Sequence, residues 1–482
     1  MARDLLALDA IDLLAQLASR HLSATDLMQA TLTRIAAVNP SVNALVSLVD
    51  ADRLMDQARA FDLAPTKGPL AGLPMALKDL VATKGIRTTW GSPLFADHVP
   101  QQDDMLAARL RAAGAILIGK TNVPEYGLGS HSFNPVFGVT RNPYDLTRSA
   151  GGSSGGAAAA LATGMVALAD GSDMMGSLRN PAAFCNIYGL RPSWDLVPSE
   201  PDGDTYLHVM STGGPMARSP RDLALLLQVL AGPDPRLPHG RPAELYAPKP
   251  GRDLNGKRIG WLENWGNAYA TEAGILPLCQ AALAQMTILG AVVEPVKPPF
   301  PAEKLWHSWC TLRSWAVAMG KREACRDPAK RALLKPELVW EVERGLALTA
   351  EQVHDASVIR SDWYATLATL FTRYDALALP SAQVWPFPAE WRYPAAINGH
   401  RMDSYHRWME VVVPVSLAGV PAIALPAGFG TEGRAAGLPM GLQLFAAAGQ
   451  DRALLQIGQS YHEATDWPGS HPPPQSQHNL KI

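Results

Sequence analysis

Three sets of residues in this 482-residue chain place reactive side chains at spacings that chemistry could use. The first is Gly114-Ala-Ile-Leu-Ile-Gly119-Lys120-Thr121, a letter-for-letter match to the phosphate-loop pattern, which would make the chain a nucleotide-binding protein. That chemistry requires the four residues between the glycines to form a loop whose amides cradle phosphate. Here they are Ala-Ile-Leu-Ile, so the segment reads as a core strand ending in a turn. The second is Gly152-Ser153-Ser154-Gly155-Gly156, which fits the G-x-S-x-G nucleophile elbow, as does the frame one residue earlier. An elbow needs a buried strand leading into its serine, and the preceding Asn142-Pro-Tyr-Asp-Leu-Thr-Arg-Ser149 is polar and turn-like. It also needs a later histidine, and His354, His406 and His462 stand in no telling context. The histidines are dispersed, no H-E-x-x-H or paired Cys/His spacing occurs, and no metal or other cofactor is expected. His400 and His406 flank a Trp- and Arg-rich stretch and read as surface or pocket-wall residues.

The third set is long and specific. Leu73-Pro-Met-Ala-Leu-Lys78-Asp79 is followed by Gly151-Gly-Ser153-Ser154-Gly-Gly156, and then by Gly171-Ser172-Asp173-Met-Met-Gly176-Ser177-Leu-Arg179-Asn-Pro181. Lys78 and Ser153 are 75 residues apart, Ser153 and Ser177 another 24. In these pieces, their order and their intervals, the sequence resembles the amidase signature family of serine hydrolases. Gly119-Lys-Thr-Asn-Val-Pro-Glu125, Asn142-Pro-Tyr-Asp145, Ala418 to Gly428 and Gly437 to Gln443 extend the resemblance over most of the chain.

Amide hydrolysis needs a nucleophile, a base that later protonates the leaving amine, and an oxyanion trap. A lysine can be that base only if burial or a cationic neighbour lowers its pKa. Lys78 ends the apolar run Leu73 to Leu77, which would carry its amine into a partly desolvated site. The resemblance implies that Ser177 attacks the carbonyl and that Ser153, held through a cis peptide, relays its proton to Lys78. It implies an oxyanion hole built from the backbone N–H groups of Met174, Met175, Gly176 and Ser177. Ser154 is expected as a supporting donor, Ser172 as a hydrogen-bond partner of Lys78, and Asp173 with Arg179 as a buried ion pair. Two departures stand out. Met175 and Asp195 occupy positions where relatives often carry Gly, and Met175 should make the acyl side of the pocket narrower and more apolar.

The elements that must position these residues follow from the texture of the chain. Residues 1 to 65 read as a helical segment, with Ser23 capping a helix that Asn39-Pro40 stops. From Gly68, short apolar runs alternate with helix-like stretches, which predicts an α/β fold. The family resemblance implies a single large, mixed, twisted sheet covered by helices on both faces, in one domain over residues 1–468. A proline-rich stretch near 233–250 could mark a subdomain edge, and 469–482 reads as a disordered tail. The apolar run Val411 to Gly428 carries three prolines and is short for a membrane span, so it reads as buried sheet and turn.

Composition limits the partners. The net charge is -2, which offers no electrostatic reason for nucleic acid or an acidic membrane. The four cysteines are scattered and read as reduced, buried thiols of a cytoplasmic protein. Eight of thirteen tryptophans fall between Trp306 and Trp408, so an aryl or apolar acyl group is one expectation and an ordinary tryptophan-rich core the other. The expected partner is a small-molecule amide, with a homodimer possible. A second reading within the same resemblance is the subunit that releases ammonia from glutamine for charged transfer RNA, working with partner subunits.

Overall fold

The run Pro74–Lys78 is buried at every position, and its residues alternate between two apolar clusters: Met75 and Leu77 enter one, Ala76 the other. The same alternation divides Leu117 from Ile116 and Ile118, and Ile423 and Leu425 from Ala424. Side chains of a strand point to opposite faces in turn, so both faces of this sheet are packed. That is why these strands read as continuous apolar runs with no polar alternation.

The computed structural model describes residues 5–64, 68–207 and 210–477. Among them, eleven strands form one sheet. They are β1 (Leu45–Val46), β2 (Pro74–Lys78), β3 (Ile116–Thr121), β4 (Leu168–Asp173), β5 (Tyr188–Arg191), β6 (Thr212–Ala217), β7 (Arg258–Trp261), β8 (Val292–Pro295), β9 (Ala376–Pro380), β10 (Ala422–Phe429) and β11 (Pro439–Phe445). Their spatial order is β1-β3-β2-β4-β6-β5-β10-β11-β9-β7-β8. Pairing is parallel across β3-β2-β4 and β9-β7-β8 and antiparallel elsewhere, the mixed sheet expected, with helices flanking it.

The phosphate-loop reading is overturned here. Residues Ile116–Thr121 are strand β3, buried throughout, and Lys120 donates to Thr83 Oγ1 (2.6 Å) and to the Val81 carbonyl. Amides tied into a ladder between β1 and β2 cannot cradle phosphate.

The N-terminal segment forms the helices Ala10–Ala18, Ala24–Val42 and Ala51–Leu63, and also supplies the edge strand β1. Ser23 caps the second helix through Asp26 N–H at 2.9 Å, as expected. That helix continues past Asn39-Pro40 to Val42 and closes at Asn43, whose φ of 54° is left-handed. A proline in the last turn forfeits little, and Asn39 accepts from the N–H groups of Ala44 and Leu45 to fasten the exit.

The apolar run near 411–428 is a short buried helix, Val413–Ala418, followed by β10. Of the expected tail, 469–477 is ordered. Trp467–Ser470 is helical, its tryptophan ring lies 6.0 Å from Phe429, and Tyr144 donates to the His471 carbonyl at 2.8 Å. Anchoring by half-buried aromatic rings outweighs the polar, proline-rich composition there; residues 478–482 lie outside the described residues.

Candidate active site

Lys78 closes β2 with its side chain buried (1% exposed). Its Nζ lies 2.8 Å from Ser153 Oγ, 2.8 Å from Ser154 Oγ, 3.0 Å from Ser172 Oγ and 3.3 Å from the Ser172 carbonyl. Burial pushes its amine down to about 7, against the opposing pull of Asp170 and Asp173. Asp170, one strand over, accepts the Lys78 backbone N–H at 2.9 Å, while its Oδ2 is buried without a partner among the described residues. Burial lifts this carboxyl to about 6.

Ser153 sits after a cis peptide, Gly152–Ser153, at the start of the helix Gly155–Ala162. Serines from an earlier loop hold the turn: Ser130 donates to the Gly152 carbonyl at 2.5 Å, and Ser132 Oγ accepts from Gly155 N–H at 3.1 Å. Ser154 can stand so close because Gly171 has no side chain, since a Cβ there would meet Ser154 Oγ at 2.8 Å and Leu178 at 2.5 Å. Ser154 is therefore a direct neighbour of the lysine amine.

Asp173 ends β4 and organises the turn that follows. Its carboxylate accepts from Gly176 N–H (2.9 Å), Leu178 N–H (3.1 Å) and two nitrogens of Arg179 (3.0 Å each). Arg191 adds a contact at 3.1 Å. Opposed by two guanidinium groups, burial does not raise this carboxyl, which stays well below the ordinary carboxylate range. The expected Asp173–Arg179 pair is thus a triad, and Arg191 was not legible from its place in β5.

One expected oxyanion donor is corrected. The Gly176 N–H is engaged by Asp173 because this carboxylate caps the turn, whereas the amides of Met174, Met175 and Ser177 have no partner among the described residues. Gly176 is left-handed (φ 79°), and a Cβ there would lie 1.9 Å from Asn180 Oδ1.

Ser177, Ser153, Ser172, Met174 and Met175 line one cavity of about 930 Å³. Met175 Sδ accepts from Trp309 Nε1 at 3.2 Å and Met174 Sδ from Arg313 Nη1 at 3.1 Å, so the helix Ala302–Arg326 pins both thioethers. The tryptophan expectation divides unevenly. Trp315 lines the cavity, as does Trp194, but Trp306, Trp309, Trp363, Trp385 and Trp408 are buried in the core. Asp195 also lines the cavity; its φ of 70° is one glycine adopts freely, and burial raises its carboxyl to about 6. The four cysteines are buried and free. His406 is fully buried, not at the surface, and stacks on Tyr405.

A buried lysine at a strand end, two serines of a glycine-rich loop beside its amine and a third serine on the same cavity form the candidate reactive centre. The chain matches the Amidase family model over residues 26–455 and belongs to that family. It is 33% identical over 474 residues to an acylamidase of Rhodococcus erythropolis, covering 96% of this chain and 97% of that one. It is 35% identical to a glutamyl-tRNA(Gln) amidotransferase subunit from a Roseiflexus species, covering 93% and 94%. Among solved structures, a bacterial aryl acylamidase of the amidase signature family superposes with a TM-score of 0.90 at 26% identity, covering 97% and 98%.

Proposed function

We propose that the chain hydrolyses small, neutral amides, apolar or aryl, through an acyl-enzyme on Ser177. The observation that carries this reading is the lysine amine, buried, lowered to about 7 and 2.8 Å from Ser153, with Ser153 and Ser177 opening on one cavity. Ser177 Oγ attacks the amide carbon and its proton passes to Ser153 Oγ, whose own proton passes to neutral Lys78. The amides of Met174, Met175 and Ser177 receive the oxyanion. The C–N bond breaks as the proton returns along the same path to the leaving nitrogen, and water repeats the cycle on the ester. Met175 narrows the acyl side, and Leu80, Val197 and Trp315 supply apolar wall.

The relationship to amidotransferase chains supports a second reading, release of ammonia from glutamine beside partner subunits. An anionic substrate favours a surplus of positive charge, whereas Arg313, the cation nearest the methionines, is already matched by Glu341 at 2.8 Å. The acylamidase reading therefore stands ahead. We also place the protein in the cytoplasm, because its four cysteines are scattered, buried and free. Among the described residues, no helix is long and apolar enough to cross a membrane.

The test is labelling with a fluorophosphonate followed by peptide mass spectrometry, beside turnover of a panel of anilides, esters and ureas. The adduct is expected on the peptide holding Ser177, with anilides hydrolysed. An adduct on Ser154 with Ser177 unmodified would support the nucleophile-elbow arrangement instead.

A further inference from the structure

Arg313 is charged, nearly buried (side chain 5% exposed), and lines the cavity that Ser177 opens on. Such a group is stable in a cavity wall only if its donors are met. Most are: Nε donates to Glu341 Oε1 at 2.8 Å and Nη2 to Tyr405 Oη at 2.7 Å. Tyr405 in turn donates to Glu341 Oε1 at 2.9 Å, and Ser314 fills Glu341 Oε2 at 2.6 Å. The guanidinium plane is thereby fixed from behind. Its remaining nitrogen, Nη1, meets the thioether of Met174 at 3.1 Å, and sulfur is a weak acceptor. A charged donor is left under-satisfied beside the turn that follows β4.

We propose that Arg313 Nη1 is a donor subsite that selects neutral amides carrying a second acceptor, an ether, carbonyl or ring nitrogen, away from the scissile bond. The proposal rests on the amide-hydrolysis reading above and adds the substrate class. The neutral form of the acceptor follows from the surroundings. Glu341 cancels the guanidinium charge, and the cavity lining holds Glu200, Asp202 and Asp204 as well as Lys321 and Arg322. A carboxylate would gain one hydrogen bond there with no surplus of positive charge to draw it in. A neutral oxygen gains the same bond without desolvating a charge. When such a substrate binds, its acceptor replaces Met174 Sδ on Nη1, and the flexible methionine side chain swings aside.

Isosteric pairs test this on the native protein. Methoxyacetanilide is compared with butyranilide for the acyl side, and the acetamide of 4-methoxyaniline with that of 4-ethylaniline for the amine side. One ether should exceed its hydrocarbon isostere by about 10- to 100-fold in kcat/KM, the range of a hydrogen bond to a charged donor. Arg313→Gln/Glu341→Gln removes both charges together, so neither is left buried alone. In that variant the ratio should fall to about one, with fluorophosphonate labelling of Ser177 retained as a check on the reactive centre. Equal rates for both pairs in the native protein would overturn the subsite, as would a preference that survives the double substitution. Better turnover of succinanilic acid than of either ether would overturn the neutral class. If no anilide is hydrolysed at all and Ser177 resists labelling, the function reading itself has failed.

Discussion

At the scale of the residue, the proposed mechanism turns on the protonation state of Lys78. A free lysine near ~10.4 is cationic at neutral pH and accepts no proton. Burial brings this one to about 7, so the base form fills as pH rises through that value. The acidic limb of kcat/KM should lie near pH 7, with activity rising into mildly alkaline solution. Lys78→Ala should lose at least ~10²-fold on amides and less on activated esters, whose leaving groups need no proton, and Ser153→Ala should show the same order. Amide turnover by Lys78→Ala within a few-fold of the parent would sink the assignment. Linkage gives a stability counterpart. With the folded pKa below the unfolded one, the unfolded chain binds more protons between about 7 and 10.5. The cost of the buried amine is therefore full below pH 7 and fades above it.

Asp170 tunes that amine from below. It holds the Lys78 N–H, and its charge favours the ammonium form, opposing burial. Asp170→Asn keeps an acceptor for the N–H and removes the charge, so the acidic limb should move to lower pH. A purely structural role would change the size of kcat/KM and leave its pH dependence in place.

Among the elements, the turn from β4 into the helix Arg179–Phe184 depends on Asp173. Five hydrogen bonds from Gly176, Leu178, Arg179 and Arg191 converge on its carboxylate. Asp173→Ala would leave two buried guanidinium groups without their anion, and thermal or denaturant unfolding should show a loss of about 3–5 kcal/mol. The amides of Met174, Met175 and Ser177 would lose their common frame, so the remaining folded enzyme should lose kcat more than it raises KM. A folded variant with parental kcat would show that the amides aim themselves without Asp173. The helix Ala302–Arg326 is the second positioning element, since Trp309 holds the Met175 sulfur and Arg313, one turn on, meets the Met174 sulfur when no substrate is bound.

At the scale of the whole molecule, the sheet decides between chemistries that short motifs leave open. Lys120 is buried in strand β3 with Thr83 and the Val81 carbonyl as partners, so its amine is enclosed by protein and not offered to a phosphate. ATP should therefore leave the unfolding temperature unchanged at concentrations where a ligand of the folded state would raise it. A rise abolished by Lys120→Ala would restore nucleotide binding.

The sequence by itself determined the class of fold and, through ordered motifs that resemble a family, which lysine and serines to look for: an apolar run ending in Lys78, a glycine-rich serine loop, and Asp173 four residues before Ser177. The same resemblance also named Ser172 as a partner of Lys78 and Asp173 as a partner of Arg179, and both contacts are present. Asp170 carried a signal that could have been read, a carboxylate inside a buried strand two residues before Ser172. Ser130, Ser132, Arg191 and Arg313 carried none, for they reach the site from a distant loop, a neighbouring strand and a packed helix. The occupied Gly176 amide, the core placement of most tryptophans and the ordered residues 469–477 were likewise decided only by tertiary structure. Which donors are already paired, and which rings face a cavity, depends on contacts between segments far apart in the chain, and local residue order does not encode them.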